Sequence, residues 1–574
     1  MEFLLILSLI FAPLAFASVE PWALGLLQIA VFSSVIYLLA RPRPFYNAIT
    51  NKTILPAVLA VAFIGLCQAI SENPVNAPSM LLFTAWRPAT LNAVLLWLFY
   101  AAVLFSVPQI IKTPGQFKRL MWTIFGMGVV ISLFGMLQKT SGNTMVYGLR
   151  LVHGEPFGPY VNRDHAALFL IMCVMAGAGI FISGFRDLAA HQSHKRFFDL
   201  AAIQFLKAVM LCTVVFGVVK TGSRGGLHSL VVAVSVVAFV SASFIKTKNF
   251  RYATRGFVVL FIAAYGILLY NNRILLGFDN GALDGSVTVR LSMYRSSLMM
   301  FKDFPLFGIG LGAVEHGFPY YQEVNWGLVR HVHSDWIELF LQAGLAGGLI
   351  CLAGLVAALR KFFRVWVKCP SFTVKSLYGG GLGALIAASL HNFVEFGSQM
   401  PANALFFFVL IGALASKPAT ESRKFRYDAE EEDEDAPIGR PIALPAAATA
   451  CLLMFFTIPS AIGWWNDFRA EDASFDKQVI YQTAALDWDP SPRYAFRLGA
   501  AYYNQALKNN SGAYELFARS LQNIEPYSLR VPVNSDLSLL KNKLLYQLAA
   551  RSPYRSYTKP ADHPGVRLFN RSNP

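Results

Sequence analysis

The stretch HVHSDWIELFLQAGLAGG, residues 331–348, joins two unlike signals. Its first eight residues hold His331, His333, Asp335 and Glu338. Its last ten are apolar or small apart from Gln342, include three glycines, and run on into LICLAGLVAAL to Leu359. Some 20 consecutive apolar residues are enough to cross a hydrocarbon core. The titratable cluster therefore stands at the end of a span expected over 335–359, and ionisable groups at membrane depth are candidates for function.

Working outward, the whole chain has this character. Of its 574 residues 55% are hydrophobic and 14% charged, with a mean hydropathy of +0.47, whereas charged residues make up about a quarter of an ordinary soluble domain. Thirteen apolar segments are long enough to be read as spans: 3–18, 22–40, 53–71, 88–110, 119–138, 165–184, 202–219, 227–245, 256–270, 335–359, 376–395, 400–416 and 442–463. The fold class expected is an all-α polytopic membrane protein. The first segment has small residues near Ala17, as a signal peptide does, but no basic region precedes it and a second apolar run follows at once, so it is read as a retained helix.

Charge sets the threading. With the N-terminus inside, the cytoplasmic loops carry Arg41, Arg43 and Lys52; Lys112, Lys118 and Arg119; Arg186, Lys195 and Arg196; Lys246, Lys248, Arg251 and Arg255; and Arg360, Lys361, Arg364, Lys368 and Lys375. Every second loop is basic, as the positive-inside rule requires. This accounts for the net charge of +16 as a topology and anionic-lipid signal; no nucleic-acid module stands behind it. The six cysteines, Cys67, Cys173, Cys212, Cys351, Cys369 and Cys451, have neither metal-ligand spacing nor the pattern of a disulfide framework.

Two outside loops are long, about 139–164 and about 271–334, and a long connection in a compact assembly is more often functional than not. The acidic run YDAEEEDEDAP, residues 427–437, reads as a solvated cytoplasmic linker within 417–441, ahead of the last span at 442–463. From 466 to 574 the chain turns soluble and, by parity, lies outside. Helical spacing there, with Asp489-Pro490 and Glu525-Pro526 close to a tetratricopeptide period, suits either helical repeats or an irregular helical tail.

The opening stretch also carries a spacing. His333 and Ser334 are followed by nine residues and then by Gly344-Leu345-Ala346-Gly347. On a continuous helix the glycines lie about 16 Å from the histidine, where small residues let another helix approach closely. Asp335 and Glu338 are spaced to cap the same helix end. This pattern resembles the signature of the O-antigen ligase and polymerase superfamily, the Wzy_C type. So, in the same order along residues 1–416, do FAPLAFASVEPWA near the start, FGPYVNRDHAAL (157–168), TGSRGG (221–226), DFPLFGIGLG (303–312) and HNFVEFGSQMPANALFFFVLIG (391–412).

The resemblance implies a GT-C-like membrane glycosyltransferase in a bacterial inner membrane, multi-pass, with its active site facing the periplasm. It implies an undecaprenyl-diphosphate-linked glycan as donor, a glycan, lipid A-core or protein hydroxyl as acceptor, and a metal-independent, base-assisted transfer with no cofactor. His333 matches the family's base, and a histidine suits that task because its pKa lies near neutrality. Read without the resemblance, it is as well a residue that merely caps the helix start. Arg224 and Arg290 match arginines expected on the diphosphate, for which a bidentate, permanently charged fork is apt; alone, Arg224 reads equally as a snorkelling interface residue. Arg295 is a weaker candidate. His331, Asn162, Arg163, His391 and Glu395 are further candidate substrate contacts. Two positions depart from the pattern: Asp164 stands where the family usually shows Asn, and Glu395 where relatives often have Asp. His391 and Glu395, expected one helical turn apart, read equally as paired only with each other. Ligase, Wzy-type polymerase and protein O-oligosaccharyltransferase share these motifs and stay open. A transporter of lipid-linked sugar would show internal repeats and midplane charges, and a scaffold would leave the ordered motifs unexplained.

Overall fold

The computed structural model describes residues 1–40, 48–73, 75, 78–142, 144–148, 150–151, 154–189, 194–273, 278–279, 282–323, 329–416, 440–471, 473–489, 491–508, 512–528 and 536–551. They divide into two compact units, Met1–Ile458 and Pro459–Pro574. Apolar segments that must satisfy every backbone group internally form helices, and each of the thirteen apolar segments lies on one: α1 Glu2–Leu14, α2 Pro21–Leu39, α3 Ile54–Gln68, α4 Arg87–Ile110, α5 Pro114–Thr140, α6 Arg163–Ala189, α7 His194–Thr221, α8 Arg224–Ser241, α9 Lys248–Asn271, α11 Asp335–Lys368, α12 Phe372–His391, α13 Pro401–Leu414 and α14 Arg440–Ala470. Among the described residues nine helices are long and apolar enough to cross a membrane; α1, α3 and α13 are shorter apolar helices. The acidic run 427–437 lies outside the described residues.

Helix α6 is the most buried of the nine. It packs against α12 where Gly179 faces Gly380: a Cβ on Gly179 would lie 2.7 Å from the Ser376 carbonyl oxygen, and one on Gly380 2.6 Å from that of Met175. The large core joins α1 to α6 with α11, α12 and α13. A second, smaller core lies in the long connection after α9. Helix α10, Gly285–Asp303, places Met293, Met300 and Phe304 against Phe83, Ile309, Phe318 and Val332. The connection is thus a folded cap with its own core. Its signal is present in the sequence as Val289, Met293 and Met300 at helical spacing behind an N-capping Asp284. Beyond the helices, the described residues hold two short antiparallel pairs, β1 Met145–Val146 with β2 Arg150–Leu151, and β3 Phe278–Asp279 with β4 Ala282–Leu283.

Two local expectations are corrected. Helix α11 is not continuous between His333 and the glycines. Gly344 holds φ +62°, ψ −165°, a conformation open essentially to glycine alone. No second helix fills the break; the segment Pro305–Gly310 does. Leu345 N donates to Pro305 O (2.8 Å) and Ala346 N to Leu306 O (3.1 Å), while Ile309 N and Gly310 N donate to Leu341 O (3.0 Å) and Gln342 O (3.2 Å). The two motifs GLAG and DFPLFGIGLG are therefore the two sides of one junction. Secondly, the cap of α11 is Ser334, whose side chain accepts from Ile337 N. Asp335 instead accepts from Ser398 N and Gln399, and Glu338 reaches back to His331 and Val332 N.

In the second unit, α15 Phe475–Trp488, α16 Pro492–Lys508, α17 Ala513–Ser528 and α18 Asp536–Arg551 share a core of Ala495, Phe517, Ile524 and Leu544. Buried Asp467 takes hydrogen bonds or ion pairs from Gln482 (2.8 Å), Arg497 (2.9 Å) and Arg493 (3.3 Å), tying the end of α14 to α15 and α16. Asp489 stands at the turn before α16, but Pro526 lies inside α17, so the two X-Pro steps do not mark equivalent repeat boundaries.

Candidate functional site

The residues around Glu395 converge from four parts of the chain. Helix α12 ends at His391, so Glu395 sits in the following turn and not one helical turn further on. It does not hydrogen-bond His391. Its Oε1 pairs with His333 Nδ1 at 2.9 Å and accepts from Phe396 N at 3.2 Å, while Oε2 receives Arg290 Nη2 at 2.9 Å. The same Arg290 nitrogen stands 3.7 Å from Asp164 Oδ2. Burial pushes the Glu395 carboxyl up, but the hydrogen bond from His333 and the charge of Arg290 outweigh it and hold the group below the usual carboxylate range. A carboxylate only accepts, so Nδ1 of His333 carries the proton in this pair and Nε2 is the nitrogen left for a substrate. Among the described residues Nε2 has no protein partner.

The backbone of His333 is unusual too. Its φ is +51°, a left-handed conformation that costs a non-glycine residue about 1–2 kcal/mol and persists only where surroundings enforce it. Tyr294 Oη donates to the His333 carbonyl at 2.9 Å. His331, two residues earlier, pairs through Nδ1 with Glu338 Oε1 at 2.8 Å. Burial works against its protonation, yet the buried Glu338 carboxylate prevails and raises its pKa above the ordinary imidazole value. Gln342 donates to the same Oε1 (3.0 Å), and Gln68 joins Gln342 O to Phe307 O. A buried polar chain thus runs from the α11 break to His331. Phe396 binds three imidazoles: His331 stacks on it (4.6 Å, 21°), and His165 and His333 meet it edge-on.

His331, His333, His165 and Asn162 line a cavity of about 430 Å³ with Arg150, Tyr160 and the turn Phe16–Val19. That turn holds positive φ at Phe16, Ala17 and Ser18, braced by Tyr147, which donates to Leu14 O, and by the Arg150–Glu20 ion pair at 2.5 Å. The sequence reading held this turn only as part of the motif FAPLAFASVEPWA and Glu338 only as a helix cap, and it gave no role to Tyr294 or Gln342. The signal it could have used is the titratable or amide character of Glu338 and Gln342 inside an apolar run.

Residues 208–352 match the O-antigen ligase family. No curated protein matches the chain. The O-antigen ligase match contains His331, His333, Arg224 and Arg290, and both sides of the GLAG junction; Glu395, Asp164, Asn162, Arg163 and His391 lie beyond it. The resemblance read in the sequence is therefore matched over residues 208–352, and this match accords with a glycosyltransferase-like role in surface polysaccharide assembly. Within the O-antigen ligase region, Arg224 opens α8 behind the N-cap Ser223. It binds Asp284 Oδ2 at 2.5 Å and Ser286 Oγ at 2.8 Å; these partners hold the Asp284 carboxyl well below its usual range. Arg224 and Arg290 are not among the cavity-lining residues. Arg295 is exposed and turned to Glu323, away from this cluster. Arg163 pairs with Glu155, and Asn162 Oδ1 accepts from Asp164 N at 2.8 Å. His391 is fully buried against Gly225, and neither ring nitrogen has a hydrogen-bond partner among the described residues. Nor do three His, Cys, Asp or Glu side chains among them group at one metal position.

Proposed function

We propose that this protein transfers a glycan from an undecaprenyl-diphosphate-linked donor to an acceptor hydroxyl at the periplasmic face of the inner membrane. The observation that carries the reading is His333: one ring nitrogen fixed on a buried carboxylate, the other unpartnered, at a cavity large enough for a sugar. The acceptor oxygen attacks the anomeric carbon while Nε2 of His333 takes its proton. The bond from that carbon to the diphosphate oxygen breaks, and its electron pair leaves with the diphosphate. Glu395 holds His333 in the tautomer this needs and steadies the imidazolium that forms. Arg224 and Arg290, now on carboxylates, exchange them for the diphosphate, which offers the same bidentate geometry with more charge. Of the further candidates, Asn162 and His331 line the cavity and are the two taken as substrate contacts.

The test is the purified full-length chain with an undecaprenyl-diphosphate glycan and candidate acceptors, with and without chelator. His333→Ala should insert, bind donor and lose about two to four powers of ten in rate. Arg224→Lys and Arg290→Lys keep the charge but lose the fork, and should transfer poorly at normal membrane levels. Near-normal turnover by His333→Ala removes the base assignment, and loss of wild-type activity with chelator removes the metal-independent route. Gene deletion sorts the acceptor: lipid-linked polymer without attached chains marks a ligase, single repeats on the core a polymerase, and altered glycoprotein with normal lipopolysaccharide a protein transferase.

A further inference from the structure

Helix α10 touches the site at three successive levels. At its first turn Asp284 and Ser286 occupy Arg224. Six residues on, Arg290 binds Glu395. One turn further, Tyr294 Oη donates to the His333 carbonyl. Arg290 and Tyr294 are four residues apart and so share a helix face. From that face one side chain sets the carboxylate that orients the imidazole, and the other holds the peptide whose φ of +51° aims it. The strain at His333 needs an external tether. Its ring bond to Glu395 fixes the side chain, while Ser334 Oγ donates to Asn392 O (3.3 Å) and Asp335 N to Asn392 O (3.0 Å) and Glu395 O (3.2 Å), which anchors the chain beyond His333 but does not touch its own carbonyl. The carbonyl of His333 is the group that swings when its peptide relaxes, and Tyr294 is what holds it.

We propose that Tyr294 is a positioning residue for His333, acting only through the backbone of the base. The proposal rests on the reading of His333 as the base, and Tyr294 itself touches no substrate.

The test is Tyr294→Phe, which deletes one oxygen and keeps the ring that fills the space. In the transfer assay the turnover number should fall at least about tenfold with the donor KM within twofold of wild type, and the pH profile should shift. The same substitution made in His333→Gln should change the residual rate by less than twofold, because residues that act through one another are not additive. Hydrogen–deuterium exchange of full-length protein in nanodiscs gives a readout independent of activity: peptides covering residues 329–336 should exchange faster in Tyr294→Phe while those of α6 and α12 are unchanged. A wild-type chain that transfers no glycan would sink the functional reading and leave the exchange experiment standing. Unchanged exchange at 329–336, an unchanged turnover number, or an equal further loss in the His333→Gln background each overturns the role of Tyr294.

Discussion

His333 is gripped at its ring by Glu395, at its carbonyl by Tyr294 and at its edge by Phe396; its neighbour His331 is gripped by Glu338 and stacks on the same Phe396. The two imidazoles thus have the same kind of partner and different consequences. For His331 the sign of the pH effect follows from its raised pKa. Its charged pair with Glu338 stabilises the fold fully below the ordinary imidazole value of about 6.5 and is lost as pH rises through the higher folded value. Wild type should therefore exceed His331→Gln in melting temperature most at about pH 6, and the gap should narrow steadily towards pH 9. Thermal scans in one detergent across that range measure it; a gap that is constant or widens with pH would show that His331 is not held charged. At this scale the sequence shows the residue types and their spacing, because a histidine at the end of an apolar run is conspicuous. It gave no sign of φ at His333 or of which carboxylate meets which histidine: Glu395 is 62 residues from His333, while Glu338 is only seven from His331, and spacing along a chain says little about distance across a fold.

Among the elements, α11 carries the sharpest contrast between pattern and structure. Its apolar periodicity is uninterrupted, so the sequence reads as one helix, yet Gly344 breaks it and admits Pro305–Gly310 by backbone hydrogen bonds. Backbone pairing leaves no side-chain signature except the glycines it requires, which is why both motifs were legible as motifs and not as a junction. A Cβ at Gly344 would sit 2.3 Å from the Leu306 carbonyl carbon and 2.5 Å from Phe307 N, against backbone that cannot give way. Gly344→Ala should then destabilise by at least about 3 kcal/mol, from strained φ/ψ together with overpacking, and lower the yield of folded protein. Gly266→Ala, in α9 with open space around the added methyl, should be neutral or slightly stabilising, as helical Gly→Ala changes are by up to about 1 kcal/mol. Fluorescence-detected gel filtration after heating compares the two, and equal melting temperatures would mean that the junction is softer than its geometry implies.

For the whole molecule, the thirteen apolar segments and the basic loops were the legible part, since lipid leaves a chain few choices other than helices. The folded cap built on α10 was not, because its core joins the connection after α9 to Val75 and Phe83 of the loop between α3 and α4 and to Leu341 of α11. The structure adds an argument about the first helix. Ala12 and Ala17 are buried, Phe16, Ala17 and Val19 line the cavity, and Glu2 at the start of α1 binds Arg119 at 2.7 Å. Cleavage at the small residues near Ala17 would remove one wall of the site, so an epitope placed at the N-terminus should stay with the full-length protein in membranes. If that helix is retained, the basic character of every second loop predicts the N-terminus inside and, for thirteen spans, the helices after α14 outside. A phosphatase that needs the periplasm, fused after Pro574, should be active, and a fluorescent reporter that needs the cytoplasm should stay dark there but shine at the N-terminus. The opposite pair of signals at the C-terminus would mean an even number of crossings. One of the short helices α1, α3 or α13 would then be the first to re-examine, because each is shorter than the roughly 20 residues that a straight crossing takes.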